Sequence, residues 1–151
     1  MKLISAYIYI FFFLSLPVLG QTKRIVGKVV NENLEVATEI RIHSLDTLLL
    51  GITDSNGEFK IEVPDTTKTI IFSWVGYEKA AISLDSSCQQ LDIILMSEWT
   101  YDYISLAEVD KLRLKRFKKL PKLHRKAFKE SIFKTEKSCY TQTFIPSYKG
   151  A

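Results

Sequence analysis

A seven-stranded antiparallel β-sandwich followed by a basic α-helical C-terminal extension is the fold class that this sequence predicts, and three observations predict it. Across residues 24–96, apolar and polar residues alternate in short runs, the period-two pattern of half-buried strands. Turn-forming clusters such as Asp54-Ser55-Asn56-Gly57 and Asp85-Ser86-Ser87 separate these runs at roughly the eight-to-twelve-residue spacing of an antiparallel sandwich. Beyond Met96 the alternation stops and the charge changes sign. Residues 21–98 carry seven Lys/Arg against twelve Asp/Glu, whereas residues 99–151 carry thirteen against five.

The first strand spans residues 24–30, with Ile25, Gly27 and Val29 opposite Val26, Lys28 and Val30. A second, near 36–44, places Ile40 and Ile42 inward and Glu39, Arg41 and His43 outward. Strands at 47–53 and 58–63 flank Asp54-Ser55-Asn56-Gly57, whose residues suit the positive φ of a tight turn, so the two are expected to form a hairpin. In it Leu48, Leu50 and Ile52 share one face, as do Phe59, Ile61 and Val63. Pro64 interrupts the pattern because it cannot donate to a ladder. Three more strands follow at 69–75, 78–85 and 90–96, carrying Ile70, Phe72 and Trp74, then Ala80, Ile82 and Leu84, then Leu91, Ile93 and Leu95 on single faces. Parallel pairing would need crossover helices, and there is no room for them.

The opening residues 1–20 read as a signal peptide: Lys2, an apolar run from Leu3 to Leu16, then Val18 and Gly20 before Gln21. The run is shorter than the ~20 residues of a spanning helix. The chain is therefore expected to be exported, to the periplasm or an outer-membrane or cell-surface site. Cys88 and Cys139 would allow one disulfide there; two free thiols are the alternative.

Several of these residues carry a resemblance. Gly27-Lys28-Val29-Val30-Asn31, then Ala37 to Arg41, then Thr53-Asp54, Gly57 and Phe59, then Ser73-Trp74-Val75-Gly76-Tyr77 and a closing Leu91-Asp92-Ile93-Ile94-Leu95 together resemble the carboxypeptidase-like regulatory domain family over about half the chain. The resemblance implies a transthyretin-like (CnaB-like) sandwich of bacterial cell-envelope proteins, non-catalytic and working in protein–protein interaction or assembly. It also implies that Gly27, Thr53, Asp54, Gly57, Phe59, Phe72, Trp74, Gly76 and Tyr77 are a structural signature. Such modules also extend the N-terminus of TonB-dependent receptors. Here the chain runs into Trp99-Thr100-Tyr101-Asp102-Tyr103 instead of a plug-domain motif, which counts against a receptor fragment. The first loop, 31–36, also lacks the proline and glycine common in the family.

The expected domains are the signal peptide (1–20), the sandwich (21–98) and a basic helical tail with an irregular C-terminus (99–151). Within the tail, Ser105-Leu106-Ala107-Glu108 has capping-box spacing. Leu106, Val109, Leu112, Phe117 and Leu120 approximate an apolar stripe, and Pro121 should end or kink the helix before a second one at 122–133. Lys111, Arg113, Lys115, Arg116, Lys118, Lys119, Lys122, Arg125, Lys126 and Lys129 are left for the surface. They could meet anionic lipid or polysaccharide, with Trp99, Tyr101 and Tyr103 as flanking aromatics, or simply be the solvated face of a helix pair docked by its apolar stripe on the acidic sandwich. Nucleic acid is a poor partner for an exported chain, and an envelope protein is the principal one expected. His43 and His124 lie in no catalytic or metal-ligand motif, and Asp54-Ser55-Asn56-Gly57 lacks the glycine and glutamate register of a calcium loop. No cofactor, metal site or enzymatic activity is expected.

Overall fold

The computed structural model describes residues 21–147. The signal-peptide expectation falls outside the described residues. Among those described, eight strands form two sheets, with two helices between the seventh and eighth strands.

β1 (Thr22–Asn31) is the centre of the smaller sheet. It pairs antiparallel with β4 (Glu58–Pro64), Gly27 opposite Phe59, and parallel with β7 (Gln90–Leu95), Gly27 opposite Leu91. The sandwich is thus not wholly antiparallel. A parallel neighbour needs a long crossover, and strands of the other sheet make it here in place of helices. That sheet has the order β3-β2-β5-β6-β8 and comprises β2 (Arg41–Ser44), β3 (Leu49–Ile52), β5 (Thr69–Ser73), β6 (Ala80–Leu84) and β8 (Tyr140–Thr143).

The expected hairpin at Asp54–Gly57 is a turn without a ladder. β3 pairs with β2 while β4 pairs with β1, so the turn hands the chain from one sheet to the other. Asp54 Oδ1 accepts hydrogen bonds from the backbone N–H of Asn56 and Glu58, each at 2.8 Å, and holds the turn closed. Gly57 has φ +70°, and a Cβ there would stand 2.6 Å from the Val29 carbonyl oxygen. Gly57→Val combines left-handed strain with that clash and should lower stability by roughly 2–4 kcal/mol. Urea denaturation reads the loss. Gly57→Asn tolerates the dihedral but keeps the clash, so its midpoint should fall between valine and wild type; equal midpoints for all three would remove this account.

Of Leu48, Leu50 and Ile52, only Leu50 packs against the core; Leu48 and Ile52 are exposed. The register of β2 and β3 shifts between Ile42 and His43, which breaks the simple alternation expected for this strand. Between the sheets Ile25, Val29, Ile40, Ile42, Ile61, Ile82 and Leu91 are buried, and the rings of Phe59 and Phe72 meet edge to face, 5.5 Å between centroids.

β8 lies in the segment expected to be irregular, and it raises the strand count from seven to eight. It pairs antiparallel with β6, Leu84 opposite Tyr140. Its alternation is real, with Tyr140 and Gln142 half-buried and Thr141 and Thr143 exposed, but it is written in polar residues. Cys139, immediately before it, forms a disulfide with Cys88.

α1 (Leu106–Phe117) begins at Ser105, whose side chain accepts from the Glu108 N–H at 3.3 Å. α2 (Leu120–Lys129) begins with Pro121 in its first turn, where a missing N–H costs nothing. The apolar stripe expected along α1 is only in part its inner face. Val109 and Leu120 are buried and Phe117 packs on the second core, but Leu106 and Leu112 are exposed, and Arg116 is buried with Arg113 turned inward beside it. α2 buries Leu120, His124 and Ala127 in a second core with Val30, Ile94, Met96 and Phe133. β7 is therefore covered on both sides: Leu91, Ile93 and Leu95 face the sandwich interior, Ile94 and Met96 the helices.

Candidate functional site

Two arginines join the tail to the sandwich. Arg116 donates from Nε to Glu32 Oε1 at 3.1 Å and from Nη2 to Glu32 Oε2, a two-pronged pair that suits the flat guanidinium. It also donates to the Ser97 carbonyl at 2.7 Å and the Tyr101 hydroxyl at 3.2 Å, with the Trp99 ring 3.9 Å away. Arg113 donates to Glu78 and Asp110, both at 2.7 Å, and to the Ile145 carbonyl at 3.1 Å. Its pKa is raised, chiefly by the hydrogen bond to Glu78. For Arg116 burial pulls the pKa down, but the bonds to Glu32 and Tyr101 outweigh it and the net shift is upward. Both remain cations, and leaving either buried without its carboxylate would be costly.

Arg113 and Arg116, expected on the solvent face with the other cations, therefore belong to the seam. The other eight expected there, Lys111, Lys115, Lys118, Lys119, Lys122, Arg125, Lys126 and Lys129, are exposed. Trp99 and Tyr101 are drawn to Arg116, whereas Tyr103 stands free in solvent. Trp74, Tyr77, Glu78, Trp99, Tyr101 and Arg113 line an open cleft of about 670 Å³ where the sandwich meets the tail.

A second seam was not anticipated. Asp92 on β7 is 1% exposed, and its Oδ2 accepts from Lys134 N–H, Thr135 N–H and the Thr135 hydroxyl at 2.9–3.1 Å. An aspartate inside the apolar run 91–96 was the available signal, because a buried carboxylate requires partners. The Tyr140 hydroxyl donates to the Asp92 carbonyl at 2.6 Å; burial, then the charge of Asp92, push its pKa up.

The signature residues occupy two places. Gly27, Gly57, Phe59 and Phe72 lie in or beside the sandwich interior. Thr53 joins them, accepting from Ile40 N–H and donating to the Ala37 carbonyl, both at 2.9 Å. Asp54 closes its turn. Trp74 lies 4.9 Å beneath the Arg41 guanidinium, and Gly76-Tyr77 turns the chain between β5 and β6, where Tyr77 bridges to Ser97.

His124, in no catalytic or metal-ligand motif, is buried; its Nε2 donates to the Thr135 carbonyl at 2.9 Å and its ring packs on Phe133. His43 approaches the Thr47 carbonyl at 3.4 Å. Among the described residues no three His, Cys, Asp or Glu side chains gather as a metal site, and no helix is long and apolar enough to cross a membrane.

The sheet edges differ in how they are closed. On β7 the Asp92 and Ile94 carbonyls accept from the Tyr140 hydroxyl and Gln142 Nε2, at 2.6 and 3.5 Å, so side chains of β8 cap that edge. β4 presents Glu58, Lys60 and Glu62 and ends in Pro64, features that discourage pairing. β8 is short and polar. β3 alone is uncharged and apolar, with Leu49 49% and Ile52 50% exposed and Leu45 and Leu48 exposed beside them.

No curated protein matches this chain. Among solved structures, an E. coli P pilus tip assembly intermediate, PapC-PapD-PapK-PapG, aligns at 13% identity and TM-score 0.40, covering 57% of this chain and 11% of that one. The C-terminal domain of the PapC usher aligns at 14% identity and TM-score 0.34, covering 50% of this chain and 98% of that one. A family model described as the CarboxypepD_reg-like domain matches residues 25–109, from β1 through the whole of β7 and into α1. Over that span the strands, the Asp54–Gly57 turn and the Gly76-Tyr77 corner are all in place, and the chain belongs to the CarboxypepD_reg-like domain family.

Proposed function

We propose that this chain is a non-catalytic interaction module, a transthyretin-like sandwich of the bacterial cell envelope whose β3 edge receives an extended apolar strand from a protein partner. The carrying observation is the contrast among edges: β7 is capped, β4 is charged and proline-ended, β8 is polar, and β3 itself carries no charge, exposing Leu49 and Ile52 with Leu48 just before them, while Asp46 lies in the preceding turn. Strand addition uses main-chain hydrogen bonds for affinity and alternate side chains for selection. Export is supported by the signal-like residues 1–20 and by the disulfide, which suits an oxidising compartment.

A photo-cross-linking residue placed at Leu48 should capture a partner in cells, while the same residue at Glu62 on the β4 edge should not. Leu49→Lys with Ile52→Lys should abolish the adduct and leave the unfolding midpoint within about 1 kcal/mol of wild type, since both positions are half exposed. Equal capture from both edges, or capture that survives the lysine pair, would discard the β3 assignment.

A further inference from the structure

The tail's cations divide by side-chain type and direction. Over residues 111–129 the inward ones are arginines, each engaged with carboxylates of the sandwich; the eight outward ones are seven lysines and Arg125. On α1 the inner face runs through Val109, Arg113 and Arg116, so Lys111 and Lys115 project from the opposite side. On α2 the inner face is Leu120, His124 and Ala127, and Lys122, Arg125, Lys126 and Lys129 are exposed. Among the described residues, Lys126 on this outer surface pairs with Glu130, 3.7 Å away and well solvated.

Each helix also carries an exposed apolar residue on the flank that joins its inner and outer faces. Leu112, 44% exposed, lies beside Lys115 on α1, and Phe128, 37% exposed, beside Arg125 on α2. A groove of about 420 Å³ also opens between α2 and β8, with Ile94, Phe117, Leu120 and Pro121 among its walls and Lys118 at it. Cations alone suit any polyanion. Cations interspersed with an exposed leucine and phenylalanine suit a surface that is anionic outside and hydrocarbon just beneath.

We infer that the outer face of α1 and α2 docks on an anionic phospholipid bilayer, the lysines meeting headgroups while Leu112 and Phe128 enter the boundary below them. This surface is separate from the β3 edge, and neither assignment depends on the other. Because the inner faces are held by Arg113, Arg116 and the second core, both helices are already formed before contact. Docking therefore spends no binding energy on folding them.

Co-sedimentation of the full chain with vesicles of phosphatidylcholine, alone or mixed with phosphatidylglycerol, tests the inference. Retention should require phosphatidylglycerol and weaken with salt. Lys111→Gln, Lys115→Gln, Lys122→Gln and Lys129→Gln together should lower partitioning by at least about a hundredfold, since each cation near an anionic surface is worth about fivefold. All variants keep residues 1–20, so any retention through that apolar run is common to them and cancels. Leu112→Ser with Phe128→Ser should remove the part of the binding that survives high salt. Equal partitioning of the glutamine variant and wild type would overturn the inference. So would an unchanged salt-resistant fraction in the serine variant, or binding to soluble dextran sulfate without binding to vesicles, which would make the ligand a polyanion.

Discussion

Gly27→Ala is expected to destabilise the protein by at least about 3 kcal/mol, although it adds a single methyl group. Gly27 lies on the inner face of β1, directly opposite Leu91 of the parallel strand β7. A Cβ at this position would stand 1.8 Å from the Leu91 carbonyl oxygen and 2.9 Å from the Phe59 ring. The ring could rotate away; the carbonyl is main chain and cannot move without displacing β7. Because β7 supports the sandwich core with one face and the helical core with the other, its displacement disturbs both. Denaturant titration followed by tryptophan fluorescence and by far-ultraviolet dichroism should show one transition at a much lower midpoint. A midpoint equal to wild type would mean that β1 and β7 are not packed this closely.

Loss of the Cys88–Cys139 bond should have an effect of similar size. The two residues are 51 apart in sequence, and releasing a loop of this length restores unfolded-state entropy worth roughly 4 kcal/mol in the chain-entropy account. Cys88 is buried in the sandwich core and Cys139 directly precedes β8, so the bond also sets where β8 begins against β6. The double variant Cys88→Ala, Cys139→Ala should lose about that stability. Hydrogen exchange should show β6 and β8 amides opening before those of β1. Uniform loss of protection would indicate that the bond acts on the unfolded chain alone.

Most strands before the tail were legible because they bury one face, and a buried face writes itself as alternation. Ile40 and Ile42, with Glu39, Arg41 and His43 turned away, show this most plainly. Sheet membership was not legible. Asp54–Gly57 signals a turn, but whether the strands on either side share a sheet is decided by partners far off in sequence. Docking of the tail was half legible. Ile94 and Met96, apolar on the face opposite Leu91, Ile93 and Leu95, already require a cover, as strands hydrophobic on both faces do. Arg113 and Arg116 could not be recognised as inner residues, because arginine reads as solvated until Glu78 and Glu32, 35 and 84 residues away, are placed against it. β8 escaped notice because its inward residues are Tyr140 and Gln142, chosen to hydrogen-bond the β7 carbonyls and not for apolarity.

That late arrival of β8 sets an order of events. A polypeptide that emerges N-terminus first has made β1 to β7 long before Tyr140–Thr143 exists, and throughout that interval β6 has an open edge and the Asp92 and Ile94 carbonyls lack their caps. Completion of the larger sheet therefore waits for residues 140–143, and the bond between Cys88 and Cys139 can close only once the segment that carries β8 has reached β6. In an oxidising compartment the oxidised cysteine pair would serve as a covalent record that the eighth strand had been brought to its place.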